Sequence, residues 1–198
     1  MKCPYKYANE IEYDFLLLKP EDYDKLQAFS CGNDVLDQYI QRDVIRKHNG
    51  SFSVDNRDGL HFKVQDKKTG EILGFVSLAA SAIVFCVDGN YTTNLSAVKI
   101  DVFAIDERYQ KLHYDEESER SINPKEHYYF SDEIMGTTIL HIRKTGEERV
   151  LVDYIFLYAD RDKKHFYERN YYEEFCGFMR SENTQEIRNN IPMFMRLD

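Results

Sequence analysis

The sequence predicts an α/β fold, a mixed and mostly antiparallel central sheet flanked by helices, in one domain covering residues 1–198. Three observations predict it. Aromatic residues make up 14% of the chain, as 15 Tyr and 13 Phe with no Trp, a load that favours a sheet-containing core. Apolar residues alternate over several short stretches bounded by turn signals. These strand patterns are interleaved with segments of helical period, in the order β-α-β-β-β-α-β-α-β-β.

The elements follow in order. Asp14 to Lys19 is a short apolar run closed by Pro20 and predicts the first strand. Glu21 to Phe29 reads as a short helix or turn. Asn33 or Asp34 caps the next helix, whose apolar face is Leu36, Tyr39, Ile40 and Val44 and which ends near His48-Asn49-Gly50. Leu60 to Gln65 alternates as a strand, and Asp66 to Gly70 turns it into a partner over Ile72 to Phe85, with a break expected at Ala79-Ala80. Asp88-Gly89-Asn90 turns again. Ala97 to Ile105 is the following strand, with Val98, Ile100, Val102 and Ala104 on one face.

From Asp106 to Glu133 the character changes. The segment holds nine acids and four bases and has no apolar periodicity, so it predicts an acidic insertion between two core elements. Asn123-Pro124-Lys125-Glu126 starts a short helix within it, because Asn caps and Pro suits the first position. Ser131 to Lys144 is a core helix bearing Ile134, Met135, Ile139 and Ile142, closed by Gly146. Val150 to Ala159 is a buried strand and Asp162 to Asn170 a helix. Phe175 to Met179 and Ile191 to Leu197 are the last strands.

Charge narrows the function classes. Lys and Arg total 26 against 35 Asp and Glu, a net charge of -9 that disfavours nucleic acid and anionic membranes as partners. No apolar run reaches the ~20 residues of a membrane span. The polar opening predicts no secretory leader, and Cys3, Cys31, Cys86 and Cys176 are too scattered for a zinc site or disulfide framework, so the expected location is the cytoplasm. The six His lack ligand spacing and no metal is expected; His113 with Asp115, Glu116 and Glu117 reads as a solvated acidic loop. Arg42, Arg46 and Lys47 form a basic helix end, suited to the helix dipole or to contact with a phosphate or an acidic partner.

Three stretches carry a family resemblance. Phe29-Ser30-Cys31-Gly32-Asn33-Asp34-Val35-Leu36-Asp37-Gln38-Tyr39-Ile40 resembles the F-x-C-G-x-x-x-L-x-x-Y-L opening of GNAT acetyltransferases, specifically of their toxin–antitoxin branch. Ile100 to Gln110 is similar to that family's central strand and exit, L-x-x-L-A-V-D-x-x-Y-Q. Phe166-Tyr167-Glu168-Arg169-Asn170-Tyr171-Tyr172 resembles F-Y-E-K-x-G-F, with Tyr171 where Gly is usual, and Ile191-Pro192-Met193-Phe194 resembles the last strand. Together they reach from about Phe15 to Leu197.

The resemblance implies acetyl-CoA as acetyl donor and an unidentified small-molecule or protein amine as acceptor. It places the pantetheine arm on backbone groups of Phe103, Ala104 and Ile105, with Gln110 and Lys111 at the cofactor beyond them. It makes Tyr167 the general acid to the departing thiolate. Asp101 is either the base for the amine or an ordinary paired strand carboxylate, and the second reading is preferred. It also implies an antitoxin or other protein partner and a homodimer. The sequence departs from the family after Gln110, where Q-x-x-G-x-G is expected. Lys111-Leu112-His113-Tyr114-Asp115 follows, and no glycine lies between Gly89 and Gly136. Those glycines let backbone approach the CoA diphosphate at the start of the next helix, which here opens with Asp132 and Glu133. Two outcomes are expected: an enzyme whose insertion supplies other donors, or a lapsed GNAT-like domain that binds a ligand or protein partner.

Overall fold

The computed structural model describes residues 3–87, 91–148, 151–175 and 190–197. In chain order the elements are β1 (Tyr13–Leu17), α1 (Tyr23–Gln27), α2 (Asp34–Gln38), β2 (Ile45–His48), β3 (Ser51–Val54), β4 (Leu60–Asp66), β5 (Ile72–Val87), β6 (Tyr91–Ile105), α3 (Glu116–Arg120), α4 (Phe130–Glu148), β7 (Tyr154–Ala159), α5 (Lys164–Arg169), β8 (Glu173–Glu174) and β9 (Ile191–Arg196). The chain forms two compact units, one of residues 1–77 and 102–137 and the other of residues 78–101 and 138–198.

In the first unit the strand order is β1-β4-β5-β6. β1 and β4 are antiparallel, from Tyr13 opposite Asp66 to Leu17 opposite Phe62. Apolar clusters cover both faces of this sheet. Ile72, Phe75, Val102 and Ala104 pack on one side with Leu26, Phe29, Ile40 and Val44. Val64, Leu73 and Ile105 pack on the other with Tyr109, Phe130 and Ile134. A buried ion pair completes this unit: Lys63 Nζ lies 2.5 Å from Asp22 Oδ1, with the two side chains 7% and 2% exposed.

Local chemistry explains most element ends. The Asn33 side chain accepts from the amides of Val35 and Leu36, so Asn33, of the two expected candidates, is the cap of α2. The Asp66 carboxylate accepts from the Tyr5 and Thr69 hydroxyls and the Lys68 amide, which fixes the β4–β5 turn. Burial alone would raise the pKa of Asp66, but these hydrogen bonds outweigh it and hold the carboxyl below its ordinary value.

Three expectations are corrected. The helix after Asn33 does not run to His48. It passes through a π turn at Tyr39–Asp43, and Ile45–His48 is a strand paired with Ser51–Val54. Asn49 and Gly50, at φ 49° and 83°, make the hairpin turn between them. Arg46 and Lys47 therefore stand on β2 and not at a helix end; Arg46 lies 3.5 Å from Asp55, and Lys47 sits over the Phe52 ring. β5 runs through Ala79-Ala80 without a break, and α4 continues past Gly146 to Glu148. The 106–133 segment adds to the core of this unit: Tyr109 and Phe130 are fully buried, and Leu112 and Tyr114 pack against the same cluster. The expected turn at Asp88-Gly89-Asn90 and the strand at Cys176–Met179 lie outside the described residues.

In the second unit the order is β5-β6-β7-β9-β8. β6 and β7 are parallel, from Ala97 opposite Tyr154 to Ile100 opposite Leu157, while β7 and β9 are antiparallel along the whole of β7. Ile83, Ala97, Phe156 and Phe175 form its core.

α5 ends at a conformation that its residue type resists. Tyr171, where the resemblance expects Gly, has φ 67° and is 84% exposed. A side chain at left-handed φ costs roughly 1–2 kcal/mol, and glycine gives part of that back through its freedom in the unfolded chain. Tyr171→Gly is expected to raise stability by about 0.5–1 kcal/mol, measured by denaturant unfolding. A lower midpoint would show that the exposed ring makes a contact worth more than the strain.

Candidate functional site

The end of β6 is the centre of the first unit's candidate surface. The Asp106 amide donates to the Leu73 carbonyl at 2.9 Å. A side chain on Gly74 would lie 3.0 Å from the Ile105 side chain and 3.4 Å from the Ala104 carbonyl. Residues of an antiparallel pair alternate between those that exchange backbone hydrogen bonds and those that do not. Ala104 therefore turns its amide and carbonyl toward β5, while Phe103 and Ile105 turn theirs to the opposite edge. Among the described residues β7 pairs with β6 over Ala97–Ile100, and β6 continues beyond that ladder to Ile105.

The segment after β6 is tied to the Phe29–Gly32 loop. The Glu107 amide donates to the Ser30 carbonyl at 3.0 Å. Gln110 Nε2 donates to both the Cys31 and the Ile105 carbonyl, each at 2.8 Å. Gly32 has φ 76°, a left-handed conformation that favours the motif's glycine, while a Cβ there would meet only the Glu107 side chain in ordinary contact at 3.4 Å. Asp37 accepts from the Ser30 hydroxyl and the Cys31 amide and closes the loop on its other side. Burial first, and the hydrogen bond to Asp37 second, push the Cys31 thiol up to about 12, which leaves it a poor nucleophile. Gln110 thus holds backbone in place. Gln110→Ala leaves two carbonyls without this donor and is expected to cost about 1–3 kcal/mol in thermal unfolding, with Gln110→Glu losing the donor at similar size. An unchanged midpoint in both variants would show that the loop is held by its other contacts. Lys111, next in the turn, is exposed.

Beside this strand end is a groove of about 450 Å³ with Lys25, Ser30, Gly70, Glu71, Glu107 and Arg108 among its lining. Arg108 is itself clamped, donating to Asp106 at 2.8 and 2.9 Å and lying 3.3 Å from Glu71.

The first turn of α4 is where the resemblance places a diphosphate, and its residues do not fit one. The Phe130 amide donates to the Leu112 carbonyl and the Tyr129 amide to Asp132 Oδ2, both at 2.9 Å. Asp132 is 1% exposed. Next to it, Glu133 accepts from the hydroxyls of Tyr13 and Tyr128, at 3.2 and 3.1 Å. A helix N-terminus binds anions through unsatisfied amides and positive potential. In this chain the amides of Tyr129 and Phe130 are engaged and two carboxylates supply the negative charge. Nothing in the sequence signalled the part of Leu112, because only its backbone acts.

His113 meets the His127 ring edge-on and the Tyr129 ring at a tilt, and Asp115 caps α3 by accepting from the Ser118 amide at 2.8 Å. No group of side chains able to hold a metal ion occurs among the described residues.

In the second unit, Tyr167 lies on α5 with its ring edge-on to Phe166 and Tyr172, at 5.1 and 5.9 Å. Burial first, and the charge of Asp160 second, push its phenol up to about 12. It is protonated throughout the physiological range. Asp101 on β6 lies 2.5 Å from Lys99, two residues back on the same strand face, and Lys99 also lies over the Tyr158 ring. This carboxylate is half of an ion pair.

No family model matches the sequence, and no curated protein matches it. Solved structures do match its fold. A bacterial toxin superposes with a TM-score of 0.66 at 18% identity, covering 94% of this chain and 91% of that one. The AtaTR structure bound with AcCoA gives 0.57 at 19% identity, covering 93% of each. The PaiA N-acetyltransferase of Thermoplasma acidophilum in complex with coenzyme A gives 0.51 at 12%, covering 94% of this chain and all of that one (100%). The chain has the GNAT fold, a large, mostly antiparallel sheet with helices on it, and the toxin-type structures are among its neighbours.

Proposed function

We propose that this chain is an N-acetyltransferase that moves acetyl from acetyl-CoA to the amine of a small molecule or protein. The observation that carries the reading is the end of the β6–β7 ladder at Ile100 while β6 runs on to Ile105, in a fold shared with an N-acetyltransferase bound to coenzyme A. Backbone groups of Phe103 and the amide of Ile105, whose carbonyl Gln110 already holds, pair with the pantetheine arm as a further strand would. The amine nitrogen attacks the thioester carbonyl carbon and the carbon–sulfur bond breaks. The sulfur takes the Tyr167 proton, and the surplus amine proton leaves to water or a carboxylate. Asp101 is poorly placed for that last step, since Lys99 already holds it. Gln110 acts on the strand end and not on the ligand, and Lys111 stays exposed on the turn beyond it.

The test is release of coenzyme A thiol from acetyl-CoA, against pools of free amines and of peptides. Release above the amine-free rate with one pool is expected; none with any pool would contradict the reading. The occupied first turn of α4 favours a second reading, a lapsed domain that binds a protein or ligand, for which silence in this assay is the expected result. Within the enzyme reading, the Phe29–Gly32 loop and the likeness to a bacterial toxin support a toxin role with an antitoxin partner. The net charge of -9 opposes a transfer-RNA acceptor.

A further inference from the structure

Resting on the acetyltransferase reading, we propose that this chain recognises its acyl donor as a pantetheine thioester, and that the nucleotide diphosphate of CoA adds almost nothing to binding. Its donor class is then acyl-pantetheine in any carrier, whether free, protein-borne or within CoA.

The argument starts from what occupies the first turn of α4. The chain's own backbone sits there, with Leu112 O on the Phe130 amide. This contact is one rung of a short ladder. The Tyr114 amide donates to the Tyr128 carbonyl at 2.8 Å, and His113 bridges Tyr129 as an antiparallel pair. Ser118 Oγ locks the ladder from the side, accepting from the Tyr128 amide at 2.7 Å and donating to the Tyr128 carbonyl at 2.9 Å. Displacing Leu112 would open all of these together. The core resists this as well, because Leu112 and Tyr114 pack against the cluster that holds Tyr109 and Phe130.

Charge points the same way. A diphosphate at this turn would meet Asp132, which holds the Tyr129 amide, and Glu133, which is anchored by two phenols. The preceding segment adds Asp115, Glu116, Glu117 and Glu119. No glycine from 90 to 135 lets the backbone close on a phosphate. A family-type cradle supplies at least two charge-assisted hydrogen bonds to the diphosphate, enough for about a hundredfold in affinity. This chain forgoes that factor, while the amide groups of the pantetheine arm still match the edge of β6.

The experiment is titration calorimetry on the full chain with acetyl-CoA, S-acetyl-pantetheine and adenosine 3′,5′-bisphosphate, followed by thiol-release kinetics with both thioesters. The inference expects the two thioesters to bind within about threefold of each other, and the bisphosphate to leave both isotherms unchanged at millimolar concentration. Acetyl-CoA binding about a hundredfold tighter, with competition by the bisphosphate, would overturn the inference and leave the acetyltransferase reading standing. Binding of neither thioester would overturn both. Comparable rates with a protein-borne acyl-pantetheine and with the free one would extend the donor class to carriers; preference for CoA over both would again overturn it.

Discussion

If the chain is the proposed acetyltransferase, replacing Tyr167 with Phe is expected to leave acetyl-CoA affinity within about twofold and to lower turnover about 10²- to 10⁴-fold, the range for loss of one general acid. Only the hydroxyl is removed. The ring keeps its edge-on contacts with Phe166 and Tyr172, so α5 and its packing persist. The phenol is pushed up to about 12, by burial and then by Asp160, so it is protonated at every pH at which the protein works. Its sign follows: a group with a raised pKa loses its proton only as pH rises through the raised value. Tyr167 therefore puts no falling limb on the pH profile of kcat below about pH 11. Single-turnover kinetics with any accepted amine, alongside calorimetry of acetyl-CoA binding, measures both quantities. Turnover unchanged in Tyr167→Phe would make this residue an ordinary packed tyrosine.

The second large effect is on stability. Asp22→Asn removes the negative charge from the buried pair with Lys63 but keeps the shape of the side chain. The lysine ammonium, 7% exposed, is left facing an amide. Breaking a buried pair from one side costs about 3–5 kcal/mol, since the remaining charge has lost its compensation. For a chain of this size the midpoint of thermal unfolding falls by roughly 10 °C. Asp22 also accepts from the Lys19 amide at 3.0 Å, a bond that the Asn carbonyl can keep, so the loss reports the charge and not the turn. The double variant Asp22→Asn with Lys63→Met should recover most of the loss. A single variant as stable as the parent would mean that Lys63 reaches water or another anion.

Much of this was legible in the sequence because it rests on side-chain type at fixed spacing. Asn33 before an apolar period announced the α2 cap, and Asp66 to Gly70 announced a turn. The Cys31-Gly32 pair and the Tyr109-Gln110 pair looked like separate motifs. In the fold they are one feature, joined by Gln110. Asn49-Gly50 misled because left-handed residues end helices and turn hairpins alike; only the pairing of Ile45–His48 with Ser51–Val54 decides between them. The insertion was opaque for a different reason. Its order comes from backbone bridges and single buried rings such as Tyr109 and Phe130, which follow neither a period of 3.6 nor of 2. The missing glycines marked the diphosphate position as altered, but that a carbonyl of Leu112 fills it could be read only from the fold.

Calorimetric titration of acetyl-CoA into the full chain tests the central claim most directly. The account predicts saturable one-site binding with a Kd below about a millimolar, held by the pantetheine arm on β6 and retained in Tyr167→Phe. Absence of heat and of any shift in unfolding temperature at several millimolar acetyl-CoA would contradict it, and would leave a GNAT fold put to another use.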